Sequence, residues 1–362
     1  MMRKLFTMAS ALLLLCLCNG ISAVPDGFED TEVIRSISFL TKITFTPDGH
    51  KMLVSLKRGT ILVFNDPDGD WSFDNRSIAL EFPEDMLCFN GERGVQTIEL
   101  HPDFTNNRLV YIYYNFPKHG NCDEDDVDGP VNRLSTFYFG TDDTINLASE
   151  VVLFETPPSL ESFHNGGDIW MGKDGMLYVT IGEGGRKEVS QDPSNLLGAM
   201  VRITPDGEIP DDNPFSSVNR EMSARCNVTG YLPTDTPDGF KCQEIYAIGL
   251  RNPFRFAMDP NTSGNKVRYY INDVGASTWE EINEGGHDFA GPDRIVNYGY
   301  PEREGPCRHG RTSGCNGDTN FEYPIHYYQH DNGGACTAGA FIPNGLWPDE
   351  YNNGVRWNHQ LV

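Results

Sequence analysis

The chain has 362 residues, of which 38% are hydrophobic and 22% are charged, a globular composition that excludes a wholly disordered or collagen-like protein. Its 52 acidic and 28 basic residues give a net charge of −24, which argues against a nucleic-acid partner because phosphate binding requires clustered Lys and Arg. The 37 Gly and 23 Pro residues are typical of strands joined by tight turns.

The first 23 residues are predicted to be a secretory signal peptide. Arg3 and Lys4 precede an apolar run, Ala11 to Leu17, and small residues follow as far as Ala23. An uncleaved membrane anchor is the alternative, but the run is too short to span a bilayer. No other stretch is long and apolar enough to cross a membrane, so we expect a secreted protein with one domain over residues 24–362.

Seven cysteines follow the predicted signal peptide, and in an oxidising compartment they are expected to form disulfides. Local spacing suggests three pairs and leaves Cys336 over; the pairs are Cys226–Cys242, Cys307–Cys315 and Cys88–Cys122. Because the chain contains no CxxC pair, a thiolate zinc site is not expected. Three glycosylation sequons, which are typical of a secreted glycoprotein, begin at Asn75, Asn227 and Asn261.

One unit recurs along the mature chain: a strand, an acidic or Gly-containing turn, and a second strand. It is found at residues 43–56, 98–114, 169–182 and 256–271, with insertions of different length between the copies. Repeated antiparallel strands with turn signals predict an all-β protein of the β-propeller class, and a large β-sandwich is the alternative.

His164 lies in a Gly-rich turn, His164-Asn165-Gly166-Gly167, directly before a predicted strand. The strand pair that follows returns the chain to Glu183 in a second Gly-rich turn. A propeller opens such turns to its central channel, so we expect both side chains at one mouth. A carboxylate beside an imidazole fixes the tautomer and favours its acting as a base. The alternative is that His164 caps a turn by hydrogen bonding.

The pair Arg251-Asn252 places a planar cation beside an amide, a combination suited to binding carboxylate or quinone oxygens. The alternative is a buried arginine that holds neighbouring loops together. We expect Arg251 and His164 to lie on the same face of the propeller and to open into one cleft.

Five segments together resemble the soluble quinoprotein glucose/sorbosone dehydrogenase family, which includes aldose sugar dehydrogenases and hedgehog-interacting-protein-like propellers. The resemblance runs in the family's order from about Phe39 to the end, and its segments are residues 92–104, 164–185, 196–214, 249–254 and 273–301. It implies a six-bladed β-propeller that carries pyrroloquinoline quinone (PQQ) and calcium over its central channel. It also implies that a sugar, an aldose, is oxidised at the anomeric carbon to a lactone and that an electron acceptor completes the cycle.

The resemblance also implies a role for each matching residue. His164 matches the family's base, and Glu183 stands where the family has a carboxylate near that base. Arg251 and Asn252 match residues that contact PQQ, and the backbone oxygens of Gly275 and Ala276 would bind calcium, a cation that accepts backbone ligands.

The chain departs from the family at two places. Asp168 stands where the family usually has a cation, and the family's C-terminal basic residues would lie beyond Val362. We therefore expect a last blade of about 40–50 residues to be incomplete and Cys336 to be unpaired. The alternative function is a non-catalytic extracellular propeller that binds a protein or glycan ligand. A lactonase would need a carboxylate and Asn cage for calcium, which the sequence does not reveal.

Overall fold

The structure is a computed structural model and describes residues 32–34, 36–66, 68, 75–123, 129–226, 229–292, 294–315 and 317–346. The predicted signal peptide and the sequon at Asn227 lie outside these ranges. Among the described residues, no helix combines the length and apolar character needed to cross a bilayer.

The described chain contains four large sheets, each built on four antiparallel strands that form one blade, and the blades follow one another along the sequence. The sheet of the third blade has a fifth, parallel strand, and two further sheets have two strands each. The first blade contains β1 (Leu40–Phe45), β2 (Lys51–Leu56), β3 (Thr60–Asn65) and β4 (Asn75–Glu81). The second contains β5 (Val95–Leu100), β6 (Leu109–Phe116), β7 (Val131–Phe139) and β8 (Ile145–Glu155), with the short helix α1 (Phe104–Asn107) between β5 and β6.

The third blade contains β9 (Gly166–Met171), β10 (Leu177–Ile181), β11 (Ala199–Ile203) and, after the small parallel pair β12 (Ser223–Ala224) and β13 (Lys241–Cys242), β14 (Ile245–Ile248). The fourth contains β15 (Pro253–Met258), β16 (Arg268–Asp273), β17 (Trp279–Gly286) and, after three two-residue strands, β21 (His326–Gln329). Of those three, β18 (Val296–Asn297) pairs with β14, and β19 (Arg303–Glu304) pairs with β20 (Cys307–Arg308). Short 3₁₀ helices cover Glu84–Met86, Lys118–Gly120, Lys187–Gln191 and His330–Asn332.

Each blade starts with one of the four hairpins predicted from the sequence, namely β1–β2, β5–β6, β9–β10 and β15–β16. The strands are rich in β-branched and aromatic residues, which suit a pleated, buried surface. Glycine takes the left-handed backbone in the β1–β2 and β9–β10 turns, with φ of 75° at Gly49 and 78° at Gly175, whereas Arg108 takes it in the β5–β6 turn with φ of 59°. The all-β propeller prediction is confirmed, and the described residues account for four blades.

The hydrophobic core lies between successive blades. One cluster joins blades 1 and 2, a second joins blades 2 and 3, and a third joins blades 3 and 4. The third cluster is aromatic. The ring centroid of Tyr178 in blade 3 lies 5.4 Å from that of Tyr246 in the same blade and 5.9 Å from that of Tyr269 in blade 4. Because each cluster takes residues from two neighbouring blades, burial of apolar area fixes each blade against the next one.

The first strands β1, β5, β9 and β15 contact one another in that order, and their polar side chains meet between the blades. Lys42 Nζ of blade 1 lies 2.7 Å from Asp168 Oδ1 of blade 3. Arg255 of blade 4 donates to the carbonyl oxygens of Thr41 in blade 1 (2.9 Å) and Gln96 in blade 2 (3.1 Å). The carboxylate at position 168 is therefore neutralised by a lysine on another blade.

The three disulfides predicted from spacing are present. Cys336 is buried and is a free thiol in the described part of the chain, and its sulfur accepts a hydrogen bond from Asn272 Nδ2 at 2.8 Å.

Candidate functional site

His164 and Glu183 meet at one end of the β9–β10 hairpin, as the sequence predicted. His164 Nδ1 lies 2.6 Å from Glu183 Oε1, and both side chains are largely buried. The ring makes this bond with a side chain, so it does not cap a turn. The carboxylate orients the imidazole and favours the neutral tautomer with the proton on Nδ1, in which Nε2 carries the lone pair. Glu183 Oε2 is buried and has no hydrogen-bond partner among the described residues.

Glycines allow the two turns to approach each other closely. His164 itself has a left-handed backbone with φ of 59°, and the carbonyl of His164 would clash with a Cβ atom at Gly182. A Cβ atom at Gly166 would lie 2.6 Å from the nitrogen of Gly182. The glycines of the two turns are therefore needed for the backbone contact that brings His164 to Glu183.

A buried amide network supports the His164 turn from below. Asn115 Nδ2 donates to Asn132 Oδ1 (2.5 Å) and to Asn165 Oδ1 (2.9 Å). Asn115 Oδ1 accepts from the backbone nitrogen of Gly94 (2.8 Å) and from Gln96 Nε2 (3.1 Å). Since Asn165 directly follows His164, this network ties the His164 turn to blade 2.

Glu92 and Asn252 link the His164 turn to the next blade. The backbone nitrogen of His164 donates to Glu92 Oε2 at 3.0 Å, and Asn252 Nδ2 lies 3.4 Å from the same oxygen. Asn252 Oδ1 accepts from the backbone nitrogen of Gly166 at 3.1 Å. The oxygen and the nitrogen of the Asn252 side chain thus both help to hold the loop that carries His164.

Arg251 is anchored at its backbone by Asp273 and at its side chain by a loop. Asp273 accepts from the backbone nitrogens of Arg251 (2.9 Å) and Asn252 (2.7 Å). Arg251 Nη1 donates to the carbonyl oxygens of Val274 (2.9 Å) and Gly275 (2.8 Å). The guanidinium therefore holds neighbouring loops together in this state, which is the alternative that the sequence left open.

The loop after β16 is held by two buried carboxylates. Glu304 Oε1 accepts from four successive backbone nitrogens at 2.7 to 3.1 Å, those of Ala276, Ser277, Thr278 and Trp279. Glu280 Oε2 accepts from the nitrogen of Gly275 at 3.2 Å. A Cβ atom at Gly275 would clash with the carbonyl of Trp279, so the loop requires glycine there.

Several acids and one tyrosine of this region have shifted pKa values. Burial raises the pKa of Asp273 and of its cross-strand neighbour Glu281, and the charge of Asp273 adds to the shift of Glu281. Burial and the nearby charge of Glu183, opposed by Arg251, together raise the pKa of Tyr300 to about 12. Burial would raise the pKa of Glu304, but the backbone N–H donors of Ser277, Thr278 and Trp279 have the larger combined effect. The pKa of Glu304 therefore lies below its usual value.

A small cleft runs between Arg251 and the loop after β16. It is lined by Arg251, Asp273, Val274, Gly275, Ala276, Glu281, Tyr300, Arg303 and Glu304. The backbone nitrogen of Glu183 donates to the carbonyl of Arg251 at 2.9 Å, so the His164–Glu183 pair adjoins this cleft without lining it. The structure thus brings all six predicted site residues to one region. His164 and Glu183 lie at one side, Gly275 and Ala276 lie at the other, and Arg251 and Asn252 lie between them.

Four residues of this region were not assigned a role from the sequence: Glu92, Asp273, Tyr300 and Glu304. Glu92, Asp273 and Tyr300 lie in segments that the sequence analysis had singled out, but each acts through a partner distant in the chain. Glu304 carried no signal, because its four donors are backbone groups 25 to 28 residues away.

A family model described as glucose/sorbosone dehydrogenase matches residues 39–225. The chain is 28% identical over 290 residues to the aldose sugar dehydrogenase YliI of Escherichia coli, which covers 80% of this chain and 66% of the relative. The solved PQQ-bound aldose sugar dehydrogenase of Streptomyces coelicolor superposes with a TM-score of 0.59 at 25% identity, over 82% of this chain and 70% of that one.

Hedgehog-interacting protein of Mus musculus is 22% identical over 253 residues, which are 66% of this chain and 33% of the relative. The chain therefore spans less than two thirds of the length of both curated relatives. The family match covers more than half of the chain. The chain belongs to the glucose/sorbosone dehydrogenase family.

Proposed function

We propose that this protein is a secreted oxidoreductase that oxidises an aldose at its anomeric carbon with PQQ and calcium. The observation that carries the proposal is the 2.6 Å hydrogen bond between His164 Nδ1 and Glu183 Oε1 beside the Arg251 cleft. We further propose a six-bladed propeller and an N-terminal signal peptide, the first of these by resemblance to the family.

Oxidation of a cyclic aldose to its lactone removes a hydride from C1 and a proton from the C1 hydroxyl. Nε2 of His164 would accept the proton, because Nδ1 is engaged by Glu183. Bound PQQ would supply the two-electron acceptor for the hydride, and an external acceptor would then reoxidise it. Glu183 stabilises the imidazolium formed in this step, since its carboxylate already lies at hydrogen-bonding distance.

The residues present fit such a cofactor. Arg251 Nε is buried and has no hydrogen-bond partner among the described residues, so the guanidinium retains a donor for an anionic or quinone oxygen. Arg251 would bind PQQ through this donor, and Asn252, whose side chain contacts Gly166 and Glu92, would hold the adjacent loop in place. The loop at Gly275 and Ala276 offers backbone carbonyls, which are ligands suited to calcium.

The protein-binding alternative is favoured by one observation, the similarity to Hedgehog-interacting protein. In that case the predicted site residues, such as His164 and Arg251, are retained without catalysis. The ligand is then a protein or a glycan. The two functions differ in a simple assay, because only the oxidoreductase reduces a dye when it is given an aldose.

The test is to add PQQ and CaCl₂ to the full chain, record the quinone absorbance, and follow dye reduction with a panel of aldoses. His164→Ala should lower kcat about 10²- to 10⁴-fold while PQQ affinity changes little, since a base acts in the transition state. His50→Ala is the matched control, because His50 is an exposed histidine in the β1–β2 turn. Absence of dye reduction with every aldose, despite bound PQQ, would refute the proposal in favour of the binding protein.

A further inference from the structure

The sequon that begins at Asn261 lies in the turn between β15 and β16, and its asparagine contacts a distant part of the chain. Asn261 Nδ2 donates to the carbonyl oxygen of Ile342 at 3.0 Å. Asn261 Oδ1 accepts from the backbone nitrogen of Asn344 at 2.8 Å. Pro343, between these two residues, has no N–H group of its own to offer. The side-chain amide therefore pairs with residues 342–344 through one donor and one acceptor, as a neighbouring strand would.

The turn is itself held in place, so that the asparagine is fixed for this contact. The backbone nitrogen of Asn261 donates to Asp259 Oδ1 at 2.8 Å, and Asp259 is buried. Lys173 of blade 3 donates to the carbonyl oxygens of Pro260 and Thr262 at 2.7 and 2.6 Å. The backbone on both sides of the asparagine is thus anchored to other groups.

The segment that Asn261 contacts is also attached to blade 4 at two other points. Cys336 Sγ accepts a hydrogen bond from Asn272 Nδ2 at 2.8 Å. The ring centroid of Phe341 lies 4.5 Å from that of Tyr270. Residues 336–344, which we call the strap, therefore lie against β16, and the sequon asparagine holds the last part of the strap.

A glycan would be attached to the same side-chain nitrogen that holds the strap. In N-glycosylation, a C–N bond forms between Nδ2 and C1 of a sugar, the C1–O bond to a lipid diphosphate donor breaks, and Nδ2 loses one proton. The resulting secondary amide strongly prefers the trans form, which places the sugar on the same side of the C–N bond as Oδ1. The hydrogen on that side is the one that reaches Ile342 while Oδ1 reaches Asn344, because a two-point contact with one segment uses a single edge of the amide.

We propose that Asn261 is a clasp that holds the strap on blade 4 in the unglycosylated protein, and that a glycan at Asn261 and the docked end of the strap exclude each other. Glycosylation takes place before the chain has folded, so the modification decides whether the clasp can close. A chain that carries the glycan has the end of its strap released. The inference is independent of the proposed oxidoreductase activity.

The test uses the full chain secreted from cultured eukaryotic cells. Glycopeptide mass spectrometry gives the occupied fraction of Asn261, and hydrogen–deuterium exchange measures protection of the Asn344 amide. Ser263→Ala removes the sequon but keeps Asn261, so the amide should exchange slowly. Asn261→Ala removes sequon and clasp together, and exchange should be at least fivefold faster. Asn265→Ala in the Ser263→Ala background is the matched control, since Asn265 is an exposed asparagine of the same turn, and exchange should stay slow.

Ser263→Thr raises the occupancy of Asn261, because threonine is the better acceptor residue at the third position of a sequon. Two populations of the Asn344 amide should then appear, and the fast fraction should equal the glycosylated fraction. Thermal melts establish that each variant folds.

Equal exchange at Asn344 in Ser263→Ala and Asn261→Ala would overturn the clasp. Slow exchange in chains that carry a glycan at Asn261 would overturn the exclusion. If Asn261 carries no glycan even in Ser263→Thr, slow exchange in that variant supports the inference, because the asparagine then remains the clasp, and fast exchange overturns it.

Discussion

The four-donor contact of Glu304 predicts a large and pH-dependent loss of stability on Glu304→Gln. One carboxylate oxygen accepts from the backbone nitrogens of residues 276 to 279 at 2.7 to 3.1 Å. One oxygen cannot make four full-strength bonds, and we count the set as two charge-assisted bonds, worth about 3–5 kcal/mol together. A neutral amide oxygen retains about half of that, so the free energy of unfolding should fall by about 2 kcal/mol.

The sign of the pH dependence follows from the pKa of Glu304. Backbone donors hold it below its usual value, so its stabilisation is full above the ordinary pKa of a glutamate and is lost as the pH falls through the folded value. The difference between the unmodified protein and Glu304→Gln should therefore shrink on acidification, because both side chains become neutral.

The assay is urea denaturation followed by tryptophan fluorescence at neutral pH and at successively lower pH. Glu302→Gln is the matched control, since it makes the same charge change at an exposed site two residues away and should cost less than about 0.5 kcal/mol. Equal stability of Glu304→Gln and the unmodified protein at neutral pH would refute the reasoning, as would a difference that does not change with pH.

Three further perturbations test the scaffold. Asn115→Leu should destabilise by about 2–4 kcal/mol in urea titrations, because it leaves the buried amides of Asn165 and its neighbours without partners; a loss under 1 kcal/mol would contradict this. Hydrogen bonds, opposed by burial, lower the pKa of Asp174 to about 2, so stability should fall as the pH drops from about 4 towards 2, and Asp174→Asn should flatten that part of a Tm–pH profile. Lys42→Met and Asp168→Asn should each cost about 3 kcal/mol and the double variant less than their sum, and additive losses would exclude a coupled pair.

The fold could be predicted to the extent that it depends on local signals. Four hairpins were recognisable because each joins two apolar strands through an acidic or glycine-containing turn, and these proved to be the first two strands of each blade. The outer strands were not recognisable. β21 pairs with β17 across some forty residues that contain three short strands, and no pattern in residues 326–329 specifies that partner.

The site shows the same division. His164 and Glu183 were predicted to meet because their turns end one hairpin, so a local argument sufficed. The contact of Glu92 with the nitrogen of His164 spans 72 residues and the one with Asn252 spans 160. Such contacts depend on how blades 1 to 4 are set against one another, which the sequence pattern does not encode at single positions.

The aromatic cluster between blades 3 and 4 has a consequence for how the site can vary. His164 and Glu183 flank a hairpin of blade 3, whereas the loop at residues 274–279 belongs to blade 4. A slight rotation of one blade against the other would change the distance from His164 to the carbonyl oxygens of Val274 and Gly275 while leaving each blade intact. Substitutions at Tyr178, Tyr246 and Tyr269, none of which lines the cleft, are then expected to change the shape of the cleft without any change in the residues that line it.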